Sequence, residues 1–440
     1  MRSTNMTKLL NFGWLMAEQV VRVAISFLVM TLVARHLGPE RFGAYVYLFG
    51  LAGLFLPLSM FGLDAIVMRR SAAEPGAADR VIASALVIRA CGAIAAAAMA
   101  VAAVAVWGGP EGATPGLMGM AALILLAQPG DTFNAWFKAA ERMAWVAVPR
   151  IAVSLAVAGA AAWLVHREAD LEAFVGLRAA EAGLMAAGAL LVYLLATRAG
   201  AALRPARALV TAMFREGWPL MLSALAVMVY MRIDQVMLGQ LAPEAELGRY
   251  GVAVRVADVG LFVPMALQAA IYAGLVRAHS RAPGAFDDHM QRVYDAMALS
   301  AFGAVAGLGL AAALLFEPVF GAAYAGGLPV VLVLLLGLPF TYLGVARSAM
   351  LTIRGWLWTA PATTMLGALV NIALNLVLIP RFGGLGAAWA TVVSHWLAAH
   401  GTSFLLPWLR PAGRGMTRAL NPVAAALRLR DVYRAGEQER

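Results

Sequence analysis

The sequence predicts an all-α polytopic membrane protein, with twelve transmembrane helices in two six-helix lobes related by pseudo-two-fold symmetry around a central cavity. Three observations predict it. Hydrophobic residues fill 62% of the 440 positions and charged residues only 13%, whereas a soluble domain is nearer half apolar and a quarter charged. Apolar runs long enough to cross a ~30 Å hydrocarbon core recur along the whole chain. Marker residues of the first half also return in the second half at a fixed offset.

The apolar runs fall at about 10–34, 44–66, 81–106, 117–137, 145–165, 171–196, 216–239, 249–273, 293–316, 328–350, 357–379 and 385–408. The first is longer than the ~7–15 residues of a signal-peptide core and reads as an uncleaved span. Orientation follows from the cations. With the N-terminus assigned to the cytosol, 24 of the 34 Lys and Arg residues, Arg347 and Arg354 among them, fall in inside segments, five fall outside and five lie within spans. Both termini are therefore expected on the cytosolic side of the inner membrane.

The excess of 34 cations over 24 acids would suggest nucleic acid in a soluble protein. Here basic loops against anionic lipid account for it, and no nucleic-acid partner is expected. A single cysteine, Cys91, allows no internal disulfide and matches no metal spacing. The basic tail, residues 411–440, either lies on the inner leaflet as a short amphipathic helix over 421–434 or frays as an ordinary terminus.

The repeat defines the lobes. Gly13-Trp14 opens the first span and Gly217-Trp218 the seventh; Leu37-Gly38-Pro39-Glu40 ends the first and Leu241-Ala242-Pro243-Glu244 the seventh, both pairs 204 residues apart. Pro57 and Pro264 then lie deep in the following helices. Six spans per half is an even number, so the halves share topology about an axis along the membrane normal, as in transporters that rock two bundles. The expected division is 1–215, 216–410 and the tail.

The stretch NIALNLVLIPRFGGLGAAWATVVSH at 371–395 places Asn371 and Asn375 one helical turn apart on a face with Thr364 and Gly367. Amides facing lipid would be unpaired, so this face should pack on a neighbouring helix or border the cavity. Ile379-Pro380 is expected to end the helix, Gly383 and Gly384 to form a tight turn, and Gly386-Ala387-Ala388 to let the returning helix approach closely. With ARHLGPERFGAYVYLFG at 34–50, GLDAIVMRR at 62–70, RIDQVMLGQL at 232–241 and ELGRYGVAVRV at 246–256, this stretch resembles the bacterial polysaccharide (O-antigen-type) flippases. These belong to the multidrug/oligosaccharidyl-lipid/polysaccharide (MOP) exporter superfamily. The resemblance covers about residues 8 to 408. It implies a MATE-like fold and a cavity lined largely by helices 1, 2, 7 and 8. It also implies transport of polyprenyl-diphosphate-linked oligosaccharide for O-antigen lipopolysaccharide or exopolysaccharide, alongside polysaccharide assembly proteins.

Charges inside the membrane are the candidate site. Five lipid-facing arginines would cost on the order of 12–18 kcal/mol even on the lenient insertion scale, so they must meet water or acids. Because the resemblance implies a cavity lined by their helices, Arg22 and Arg255 are the leading substrate candidates, followed by Arg89 and Arg232. Arg suits a diphosphate because its planar fork binds phosphate oxygens bidentately and stays charged. Glu18, Asp64, Asp234 and Asp258 are the candidate pairing or ion-coupling acids. Glu18–Arg22 is an i,i+4 pair; Arg255–Asp258 and Arg178–Glu181 are i,i+3 pairs. Gln128, Asp131, Asn134 and Lys138 form a polar stripe on the fourth span.

The chain contains no G-x-x-x-x-G-K-[ST] phosphate loop, and no cofactor or bound metal is expected. A cation-coupled drug antiporter of the same superfamily is the rival reading. A membrane polymerase or ligase is disfavoured by short outer loops, the absence of D-x-D, and histidines scattered without ligand spacing.

Overall fold

The computed structural model describes residues 2–140, 144–197, 203–281 and 286–438, and every regular element among them is helical. A bilayer offers backbone amides no water, so a helix that satisfies its own hydrogen bonds is the natural spanning element.

Contacts group the chain into two compact units, Met1–Gln240 and Leu241–Arg440. The first holds α1 (Arg2–Met60), α2 (Asp64–Ala73), α3 (Ala78–Trp107), α4 (Pro115–Ala127), α5 (Asp131–Ala139), α6 (Ala144–His166), α7 (Leu171–Thr197) and α8 (Arg207–Leu241). The second holds α9 (Glu244–Asp258), α10 (Phe262–Arg281), α11 (Phe286–Phe320), α12 (Leu328–Leu335), α13 (Leu338–Ile353) and α14 (Thr359–Trp396). A π-helical turn at Leu397–Gly401 leads on to α15 (Thr402–Leu405), α16 (Arg410–Ala419) and α17 (Pro422–Gln438).

In the first unit, α8 is fastened at both ends. Near its start, Glu216 accepts from Arg69 at 2.5 Å and also from Arg70, both on α2. Near its finish, the Gln240 amide donates to the Tyr47 hydroxyl at 2.7 Å and to the Gly108 carbonyl at 3.0 Å. The seventh helix therefore packs with the first unit, whereas the repeat would begin the second lobe with it. The two six-helix lobes remain a proposal drawn from the repeat.

Nine helical stretches among the described residues are long and apolar enough to cross a membrane. Two of them are interrupted by a glycine. α1 breaks at Gly38 (φ 72°, ψ 169°), in the Leu37-Gly38-Pro39-Glu40 marker. The matching marker places a break between α8 and α9, with Pro243 as the residue preceding α9. The expectation of twelve spans takes each of the two interrupted helices as a pair and adds Pro115–Ala139, itself interrupted by a 3-10 turn at Gln128–Gly130. That count is likewise carried as a proposal.

The second interruption corrects one expectation. α14 does not end at Ile379-Pro380; it continues through Pro380 and breaks at Gly383 (φ 54°, ψ −134°). Proline removes one donor and crowds one carbonyl, which a helix can absorb, but only glycine adopts that φ/ψ region freely. The Gly384 N–H then donates to Glu246 Oε2 at 3.0 Å, so an acid from α9 caps the turn. A Cβ on Gly386 would lie 2.3 Å from the Leu378 carbonyl oxygen, so the returning limb needs glycine there to pack so closely.

Gly383→Ala combines an unfavourable backbone region with a Cβ 2.7 Å from Glu246 Oε2. It should lower stability by about 1–3 kcal/mol, read as a fall in the detergent-solubilised melting midpoint. An unchanged midpoint would show that the turn does not depend on a glycine at 383.

Apolar side chains cover much of the outer surface, as a hydrocarbon environment requires. Leu310, Leu314 and Leu315 of α11 are all exposed. Exposed tryptophans cluster at helix ends, with Trp107 closing α3, Trp145 and Trp163 near the two ends of α6, and Trp358 just before α14. This is the distribution that amphipathic rings adopt at a membrane–water boundary.

Candidate functional site

Several of the interior charges are joined into networks by tertiary contacts. In the first unit, Arg22 Nε meets Glu18 Oε1 at 3.1 Å, and the Arg22 Nη2 donates to Gln19 at 2.7 Å. Glu18 is buried and has a second cation, Arg150 of α6, at 3.8 Å. Arg150 also reaches Asp131 of α5 at 3.6 Å, and Asp131 accepts from Asn134 at 2.7 Å. One buried carboxylate thus sits between two guanidiniums, and the Arg22 side chain remains 39% exposed. Its fork is therefore only partly used by the protein.

In the second unit, Arg255 and Asp258 of α9 approach to 3.8 Å, and the Arg255 side chain is 51% exposed. At that distance the pair is a loose ion contact with no close hydrogen bond. Arg178 and Glu181 of α7 form their expected pair.

Arg89 takes a different place from the one expected. It is 0% exposed, with Nη2 donating to Asp64 at 2.6 Å and Nη1 donating to the Thr132 hydroxyl at 3.2 Å. A fully enclosed guanidinium joining α2, α3 and α5 offers nothing to a ligand in this conformation. Its role as a substrate residue is therefore not supported by this geometry. The reason is that its counter-ion comes from another helix, where an i,i+4 search does not look.

Arg232 is partly exposed on α8 with no ion-pair partner among the described residues. Asp234, two positions on, is buried and accepts from the Gln235 backbone N–H at 2.8 Å. Asn371 and Asn375 are both buried, and the Asn375 amide donates to Asn371 Oδ1 at 2.9 Å. Each therefore supplies the other with a partner inside the second unit.

Sequence reasoning assigned Arg347 to a cytosolic segment. The structure buries it in α13, where Nη1 donates to Thr402 and Ser403 at 3.0 and 3.1 Å and Nη2 donates to Thr363 and the Ala398 carbonyl at 2.8 and 2.7 Å. It has no carboxylate partner among the described residues. The one available signal was position: Arg347 lies within the apolar run at about 328–350, inside a segment sized to span. No group of three or more His, Cys, Asp or Glu side chains able to hold a metal occurs among the described residues.

A sequence profile described as polysaccharide biosynthesis protein matches residues 9–278, more than half of the chain. The chain belongs to the polysaccharide biosynthesis protein family. No curated protein sequence matches it significantly.

Among solved structures, this family member resembles an inward-facing multidrug resistance MATE transporter of the MOP superfamily, with a TM-score of 0.69 at 16% identity over 90% of this chain and 95% of that one. It also resembles the lipid II flippase MurJ in an inward closed conformation, with a TM-score of 0.68 at 12% identity over 94% and 91% of the two chains. A third match is a MOP superfamily transporter from Pyrococcus furiosus Vc1, described as having a binding pocket of reverse polarity that suggests a different function. Its TM-score is 0.52 at 16% identity over 92% and 94%. At these identities the similarity establishes the fold alone: this polysaccharide biosynthesis protein is a multi-pass, all-helical membrane protein with a MATE-like fold.

Proposed function

We propose that the chain is a flippase that carries a polyprenyl-diphosphate-linked oligosaccharide from the inner to the outer leaflet of the cytoplasmic membrane by alternating access. The observation that carries this reading is the state of Arg22 and Arg255. Each lies within an apolar helical stretch beside an acid of the same helix, and the two side chains are 39% and 51% exposed. A half-exposed arginine facing hydrocarbon would cost ~2.5–3.5 kcal/mol. Facing a water-filled path, it presents a fork for phosphate oxygens. Membership of a polysaccharide biosynthesis family supports a glycan headgroup.

In this mechanism the lipid tail stays in the bilayer while diphosphate and sugar cross through the protein, and the division into six-helix lobes at residues 1–215 and 216–410 is part of the same proposal. Both termini face the cytosol, and polysaccharide assembly proteins reach the tail from that side. Glu18, shared by Arg22 and Arg150, sets how many of the local charges are available to substrate. Asp64, Asp234 and Asp258 are the other acids through which an ion gradient could act. With no phosphate loop in the chain, the drive is an ion gradient, the membrane potential or consumption of product.

The test is reconstitution in vesicles with a fluorescent polyprenyl-diphosphate sugar, scoring accessibility of the label at the outer surface. Arg22→Ala and Arg255→Ala should each slow transfer about tenfold, the equivalent of losing one charge-assisted hydrogen bond of about 1.4 kcal/mol. Transfer by wild type no faster than in empty vesicles would overturn the proposal. The resemblance to MATE multidrug transporters favours one second reading, a cation-coupled drug antiporter. Drug efflux retained by Arg22→Ala, with no binding of the lipid-linked sugar by wild type, would select it.

A further inference from the structure

The tail is folded, and its hydrogen bonds determine which side of it faces away from the protein. α16 buries Ala412, Met416 and Ala419 on one face. Thr417 bonds His400 at 3.1 Å, and the Gly415 carbonyl accepts from Gln291 of α11 at 3.1 Å. Arg410, Arg414 and Arg418 follow at i, i+4 and i+8 on the opposite face, all exposed, with no ion pair among the described residues. Trp408, 52% exposed, stands just before this stripe, directly after the last apolar helix.

α17 is oriented by a clamp. Arg428 Nε and Nη2 donate to the two Asp295 oxygens at 2.8 and 2.6 Å, and Nη2 also donates to the Arg418 carbonyl at 3.0 Å. Asp295, on α11, is 0% exposed. With Arg428 and the buried Ala425 turned inward, Val423 and Leu427 are held outward at 69% and 44% exposure, beside the exposed Arg430. Two exposed apolar side chains next to Arg430, which pairs with Asp431 at 3.6 Å, make a surface that water solvates poorly.

We propose that this surface, the Arg410–Arg414–Arg418 stripe with Trp408, Val423 and Leu427, docks on anionic phospholipid headgroups of the leaflet next to Trp408. Charge complementarity selects that occupant: guanidinium forks bind phosphate oxygens bidentately, and basic segments next to a membrane are drawn to an anionic surface within a Debye length. The apolar pair enters the boundary between headgroup and acyl chain. The Asp295–Arg428 clamp makes α11 a rigid part of the docked arm. The inference rests on the membrane reading of the chain and not on which substrate it moves.

The test uses the full chain in vesicles. Cys91, which is exposed, is first replaced by serine, and Ala426→Cys then carries a polarity-sensitive fluorophore beside Leu427. In phosphatidylcholine vesicles containing phosphatidylglycerol, the label should emit further to the blue and be quenched by lipid-borne quenchers. Phosphatidylcholine alone, or the R410Q/R414Q/R418Q variant, should reduce that shift at least by half. Emission that does not depend on the anionic lipid would overturn the proposal. Should the triple variant fail to fold, a salt series on the unaltered arm decides. Raising salt from about 0.1 to 1 M shortens the Debye length from about 10 to 3 Å and should reverse the shift, whereas an arm indifferent to salt is not docked by headgroup charge.

Discussion

Arg347→Ala should be among the most damaging substitutions in the second unit, lowering stability by about 2–5 kcal/mol. The substitution empties a buried volume and removes four hydrogen bonds that tie α13 to the start of α14, the π-helical turn and α15. Arg347→Met should behave quite differently. Thr402 and Ser403 already donate to the carbonyls one turn back, and Thr363 donates to Ala360. Losing the arginine therefore leaves no hydroxyl donor orphaned. A long apolar side chain fills the space and removes a buried cation that has no carboxylate to offset its desolvation. Such replacements are often neutral or stabilising, so the expected loss is below ~1.5 kcal/mol. Thermal unfolding of both purified variants in one detergent separates the cases. Equal losses would mean that the guanidinium itself, and not the volume it fills, holds these elements together.

The second large effect is expected from Arg428→Ala, which leaves the fully buried Asp295 with Gln291 as its remaining donor at 3.0 Å. Breaking a buried pair from one side typically costs about 3–5 kcal/mol. Because the Arg428 side chain is 36% exposed, water can partly replace it, so about 2–3 kcal/mol is the reasonable expectation after screening. The double variant Asp295→Ala/Arg428→Ala should recover part of that loss, since no charge is then left in the interior. A double variant as damaged as Arg428→Ala alone would place the effect in helix packing and remove the ion pair from the account.

Much of the fold was legible because bilayer thickness dictates element length, and composition marks where each element lies. The turn at Gly383 was legible from its glycines, but Pro380 was misjudged, because a proline disfavours helix without forbidding it. The local pairs Glu18–Arg22 and Arg255–Asp258 could be read from helical spacing. Tertiary partners could not. Arg150 lies more than a hundred positions from Glu18, and Asp295 is 133 residues from Arg428. A count of loop charges also assigns a residue to water by its place in the chain. That is how Arg347, buried among hydroxyls, was counted as a cytosolic cation. The interior charges divide accordingly: the Arg22 and Arg255 side chains are partly exposed, whereas Arg89 and Arg347 are buried.

The Asp64–Arg89 contact has a consequence for biogenesis. The acid is synthesised 25 residues before the arginine it neutralises, so α3 can be handed to the bilayer beside a partner that has already emerged. Entering alone, it would carry a bare cation against a barrier of ~2.5–3.5 kcal/mol. Thr132, which completes the arrangement, arrives only with α5. Release of these early helices into the bilayer as a group would follow, and a ribosome paused between α3 and α5 would hold a chain that is electrically settled but not yet locked.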